Sequence, residues 1–114
     1  MEPGEIDWAN LPQAPRHPVA VLSREELNRG RQVLVALITS ARFEERRQLP
    51  NCVPFLAGSF GLTKNCVIQS QAIFSLVQSD LDRDDGPIGQ LDENALRAVI
   101  RSVGYVIDAE CEPA

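Results

Sequence analysis

A small, mainly β barrel carrying one C-terminal amphipathic helix is the fold class that the sequence predicts, and three observations predict it. Short apolar runs recur along the chain, separated by Gly, Pro, Asn and Ser, the punctuation of compact all-β folds. Val33-Leu34-Val35-Ala36-Leu37-Ile38 is apolar throughout, as a central strand buried on both faces requires. Near the end of the chain, Leu96, Val99, Ile100, Val103 and Ile107 repeat at helical spacing and form one face. With 114 residues, the chain holds one core's worth of material, so residues 1–114 are read as a single domain.

The elements follow in order. Residues 5–11 form a first strand, with Ile6 and Trp8 alternating against Glu5 and Asp7. Pro12-Gln13-Ala14-Pro15 makes a stiff extended loop, because proline lacks a donor and restricts its neighbours. Pro18 to Leu22 is the second strand. Ser23 and Glu26 have capping-box spacing, predicting a brief helical turn that Asn28 and Gly30 end. The best strand lies within Arg31–Ser40, and the polar, arginine-rich residues 41–49 form a surface loop. Asn51–Leu56 and Asn65–Ser70 read as strands joined by the Gly58–Gly61 turn. Gln71–Leu76 fits either a helical turn or extended chain. Asp80–Gln90 is an acidic loop broken by Gly86-Pro87 and Gly89. Asp92 caps the last helix, and Leu91 and Leu96 suit a hydrophobic staple.

Apolar residues make up 44% of the chain and charged residues 24%, ordinary values for a globular protein. No run approaches the roughly 18 apolar residues of a membrane span, and the acidic start lacks a signal peptide's basic and apolar segments. These features predict a cytoplasmic protein with no membrane association. Cys52, Cys66 and Cys111 are odd in number and lack paired metal spacing, which argues against disulfides and zinc. The spacing of Asp80, Asp82, Asp84 and Asp85 partly imitates a calcium loop, but its Gly and closing Glu are misplaced. No metal and no cofactor is expected. Net charge is −5, unlike a protein that grips duplex DNA by its phosphates. The cations are ten arginines and Lys64, with Arg42, Arg46 and Arg47 clustered.

Six words in order narrow the barrel further. Gly4-Glu5-Ile6-Asp7-Trp8 resembles the opening strand of the MazF/PemK toxins of type II toxin–antitoxin systems. His17-Pro18-Val19-Ala20-Val21-Leu22-Ser23 is similar to that family's Arg-Pro-x-x-Val-Leu-Ser. Asn28 and the strand end Ile38-Thr39-Ser40 follow in register. Gly61-Leu62-Thr63-Lys64-Asn65-Cys66-Val67 resembles Gly-Leu-x-Lys-x-Ser-Val, Gln71–Leu76 resembles Gln-x-Arg-Thr-Leu, and Gly89-x-Leu91 precedes the helix. The resemblance runs from about Gly4 to Ile107. It implies an SH3-like barrel of the MazF, Kid and CcdB type, a homodimer and a cognate antitoxin partner. It also implies metal-independent endoribonuclease activity on single-stranded RNA.

Such cleavage uses the RNA 2′-hydroxyl as nucleophile. It needs a group to take that proton, one to protonate the leaving oxygen, and donors for the phosphorane charge. Thr39 matches the family's strand-end threonine, and Ser40 beside it adds a second hydroxyl. His17 stands where the family has arginine. An imidazole ordinarily titrates near pH 6.5 and can move protons at neutrality. Arg16 is adjacent and can supply the phosphate contact. The candidate catalytic residues are therefore His17, Thr39 and Arg16, with Ser40, Arg42, Ser70 and Gln71 as candidate RNA-binding residues. Phe74 replaces the arginine of the Gln-x-Arg-Thr word, and the family's Gly-Ser-Glu word is missing. These departures motivate the alternative of a catalytically divergent barrel that inhibits growth by binding a protein target, as CcdB relatives do.

Overall fold

The all-apolar stretch forms the middle of the sheet. In the computed structural model, which describes residues 1–11 and 14–108, β3 (Gln32–Thr39) lies between β2 (Ala14–Val21) and β5 (Cys66–Val77). Outward from these, β1 (Glu5–Leu11) pairs with β2 and β4 (Cys52–Phe55) with β5. The two-residue strands β6 (Leu81–Asp82) and β7 (Gly89–Gln90) both pair with β1. Every pairing is antiparallel. The sheet curls into a half-barrel with a C-terminal helix, the mainly β architecture that the sequence predicts.

Because side chains alternate across a strand, β3 supplies two cores. Ala36 and Ile38 join Ile6, Ala20, Ile68 and Val99 on one face, and Val33 and Val35 join Val19, Val21, Leu76 and Leu81 on the other. Helix α3 (Glu93–Val106) covers the first face. The Asp92 carboxylate accepts from the Ala95 amide at 2.8 Å, which satisfies one of the helix's unpaired donors. Leu91 and Leu96 pack in the same core, as a staple requires. The predicted helical face is only partly buried. Val99 is enclosed, whereas Ile100 and Ile107 are 60% and 67% exposed.

Several local readings differ from the structure. Ser23 does not cap the first short helix, α1 (Glu25–Asn28), whose N-cap is Arg24. The Ser23 hydroxyl instead donates to Asn28 and accepts from the Leu34 amide, tying the turn to β3. Residues 41–49 contain a helical turn, α2 (Phe43–Arg46), anchored by buried Phe43. Strand β2 begins at Ala14 rather than Pro18, while Pro12 and Gln13 lie outside the described residues. Of the two forms left open for Gln71–Leu76, the structure has the extended one, which continues β5. The Asp80–Gln90 loop includes β6 and β7. Cys52 and Cys66 are buried strand residues, as expected, and free; Cys111 lies outside the described residues.

Among the described residues no helix is long and apolar enough to cross a membrane.

Candidate functional site

Residues of five strands, β1, β2, β3, β5 and β6, and of two loops meet around a cleft of about 690 Å³. Strand register explains its first wall. Val19 faces Leu37 across β2 and β3, and the same register continued by two residues sets His17 across from Thr39. Both residues line the cleft, with Ser40 beside them. Thr39 is nearly buried, and its hydroxyl oxygen accepts from the Ala41 amide at 3.2 Å. That bond uses a lone pair and leaves the hydroxyl hydrogen free to donate.

Arg16 also borders the cleft, next to a bulge in β2. Ala9 pairs with His17 but Leu11 pairs with Ala14, so β2 holds one more residue than β1 between those pairs. Arg16 lies two residues from Pro18, the register partner of Trp8, so strand alternation sets it on the face of Trp8 and not on that of His17; both Arg16 and His17 border the cleft. The Arg16 guanidinium lies 4.7 Å from the Trp8 ring centroid, and its Nη2 donates to Asp82 Oδ2 at 2.8 Å.

The far wall is made by the turn at Ser59–Gly61 and the loop ending in Pro87-Ile88. These segments touch backbone to backbone. A β-carbon at Gly61 would overlap the Ile88 carbonyl oxygen, and one at Gly89 the Phe60 carbonyl oxygen. Glycine is needed at both positions for space. Gly61, with φ +83°, also needs it for conformation.

The loop that supplies Pro87 and Ile88 is tied down at its other end. Strands β6 and β7 pair with Trp8–Ala9 and Glu5–Ile6 respectively, and the pairing lapses beside Asp7. Arg83 reaches into this gap, with Nη2 3.1 Å from Glu5 Oε2 and Nε 3.4 Å from Asp7 Oδ1. The expected alternation of β1 is thus overturned. Glu5 and Asp7 are buried while Trp8 is 37% exposed. Burial, reinforced by the neighbouring Glu5 and opposed by Arg83, pushes the Asp7 carboxyl up to about 7.

The remaining candidates lie elsewhere. Between Gln69 and Ile73, β5 bulges against β3, and this bend carries Ser70 and Gln71. Ser70 is fully buried, and Gln71 accepts from Asn51 at 2.7 Å; neither lines the cleft. Arg42 opens α2 with φ 53°, also outside the cleft lining. Phe74 is partly buried against the second core. Conversely, the cleft includes Trp8, Thr63, Lys64 and Asp82, which the sequence did not single out as site residues. Lys64 carried a signal, as the sole lysine inside one of the quoted words. Cys66 also borders the cleft, but burial pushes its thiol up, and that of Cys52, so neither is an activated nucleophile.

Several solved structures share this fold. The chain is similar to the Mycobacterium tuberculosis toxin MazF-mt6 at 28% identity and a TM-score of 0.77, over 91% of this chain and 96% of that one. It shares its fold with an endoribonuclease in complex with its cognate antitoxin from a mycobacterial species, at 17% identity and a TM-score of 0.77, covering 95% of each chain. The MazE–MazF structure from Deinococcus radiodurans gives 19% identity and a TM-score of 0.72, covering 94% of each. No match is found among curated proteins. The model of the PemK-like, MazF-like toxins of type II toxin–antitoxin systems matches residues 2–107, and the chain belongs to that family.

Proposed function

We propose that this toxin cleaves single-stranded RNA without a metal, using His17, Thr39, Ser40 and Arg16. The observation that carries the reading is the meeting of His17 and Thr39, distant in sequence, in one cleft beside Ser40 and two cationic side chains, Arg16 and Lys64. The scissile phosphate would sit against the hydroxyls of Thr39 and Ser40, with Arg16 and Lys64 balancing its charge. The RNA 2′-oxygen attacks phosphorus and loses its proton to a base, and the 5′-oxygen leaves with a proton. The products are a 2′,3′-cyclic phosphate and a 5′-hydroxyl. His17 is the group in the cleft suited to moving these protons. Thr39 donates to the charge that grows on the phosphorane oxygens. The chain would act as a homodimer neutralised by a cognate antitoxin, a partner of the kind named for the mycobacterial and Deinococcus structures.

Incubation of purified protein with single-stranded RNA in EDTA tests this reading. Cleavage is expected, with a cyclic phosphate at the new 3′ end. His17→Ala should slow it by about 10²–10⁴-fold and Thr39→Ala by about 10²–10³-fold, with circular dichroism unchanged. RNA left intact by protein that still arrests growth on expression would favour the protein-binding alternative.

A further inference from the structure

We propose that the exposed face of Trp8 is a nucleobase-stacking subsite of the cleft, covered in the free protein by Arg16, which Asp82 holds in place; the proposal rests on the RNA-cleaving reading. Trp8 lies on β1 between Pro18 of β2 and Asp82 of β6, its direct register partners. It shares a strand face with Ile6, yet Ile6 is enclosed under α3 and Trp8 is open at the cleft. A large indole kept open there offers a planar apolar surface to a planar ligand.

What occupies that surface now is itself planar and cationic. The Arg16 guanidinium sits 4.7 Å from the ring centroid, and its Asp82 partner is 2.8 Å away. Both ends of that ion pair are substantially solvent-exposed. Exposed ion pairs and exposed cation–π contacts are weak, so a ligand that replaces both needs no large affinity to do so. A single-stranded nucleic acid brings two replacements together. Its base stacks on the indole, tightening binding about 5- to 150-fold per base. Its phosphate offers the freed guanidinium a charge-assisted, bidentate partner. Opening the cover therefore supplies the phosphate ligand and the stacking face in one movement. Arg16 lies two residues from Pro18, the register partner of Trp8, which sets it diagonally across from the indole on the same face.

Trp8 is the chain's single tryptophan, so its emission reports on this subsite alone. The probe is a labelled 2′-deoxy oligonucleotide, which lacks the attacking hydroxyl and binds uncleaved. Binding is followed by the label's anisotropy while Trp8 emission is recorded in the same titration. Quenching of Trp8 in step with anisotropy is expected. Asp82→Asn should tighten binding about 3- to 10-fold by releasing Arg16. Trp8→Ala should weaken it at least 5-fold, and Trp8→Phe should restore most of the loss. Binding with Trp8 emission unchanged, or weakened binding in Asp82→Asn, overturns the subsite and leaves the RNA-cleaving reading standing. No anisotropy change at any concentration overturns both.

Discussion

Asp7 has no exposed surface, and neither carboxylate oxygen has a hydrogen-bond partner among the described residues. Among the described residues one cation pairs with it, Arg83, which is shared with Glu5. Two carboxylates share one guanidinium, and of the three groups Asp7 is the one sealed from water. Burial is the largest cause of the raised Asp7 pKa, with Glu5 adding to it. The ordinary value is 3.8 and the folded value about 7. Between those limits the folded protein holds a proton that the unfolded chain has released, so stability falls as pH rises through the window. Above about 7 the loss is complete. Asp7→Asn keeps the shape and removes the charge. It should stabilise the protein at pH 8 by about 1–3 kcal/mol, the scale of an unsatisfied buried polar group, and change little at pH 4. Urea melts at the two pH values check this, and an asparagine variant weakened at both would contradict it. The sequence hides this arrangement because alternation separates the two faces of β1 but does not say which is covered. Here both are, and the apolar-looking Trp8 is the side chain left out.

Gly61 and Gly89 decide at the level of elements how closely the Ser59–Gly61 turn approaches β7. A methyl group at Gly89 would strike backbone, which cannot rotate away as a side chain can. Gly89→Ala should therefore destabilise the fold by about 1–3 kcal/mol, as overpacking does. It should also lower activity in the protein that remains folded, since the same contact forms the far wall of the cleft. Thermal melts beside a turnover assay separate the two effects. A variant unchanged in both would show that the segments can part without consequence. The elements that were legible in the sequence are those whose signal is local and strong. Val33–Ile38 announced the central strand, and Asp92 with its apolar repeat announced α3. His17 and Thr39 could be paired through the family words, and the β2–β3 register now gives the physical reason. The missed features depend on distant partners. β6 and β7 are strands only because β1 offers them an edge. The extended form of Gln71–Leu76, one of the two left open by the sequence, is decided by β3 beside it. Ser70 and Gln71 fall away from the cleft because of the bend in β5, which no local pattern encodes.

The whole molecule carries a net charge of −5, so its surface does not draw nucleic acid as a general polyanion binder would. The cleft lining is balanced, Arg16 and Lys64 against Asp82 and Asp85, and Asp82 is paired with Arg16, so a phosphate gains Arg16 by displacing Asp82 from it. An RNA strand bound there would have two or three phosphates neutralised. Single strands release counterions in proportion to the phosphates covered, with a slope of about −0.7 per phosphate in log K against log salt. The expected slope is then about −1.4 to −2.1. The other arginine cluster gives this number its value. Arg46 donates to the Ala41 carbonyl at 3.2 Å, and Arg47 stacks on Phe43 while pairing with Glu44. With Arg42 they lie outside the cleft lining. Were those three also to hold the strand, five or six phosphates would be covered and the slope would steepen to about −4. Titrating a 2′-deoxy strand between 50 and about 300 mM salt, a range in which surface charge is progressively screened, distinguishes the two. A slope near −2 that flattens in Arg16→Gln and stays the same in Arg42→Gln confines recognition to the cleft. A slope near −4 that Arg42→Gln relieves would extend the RNA path from Ser40 across α2.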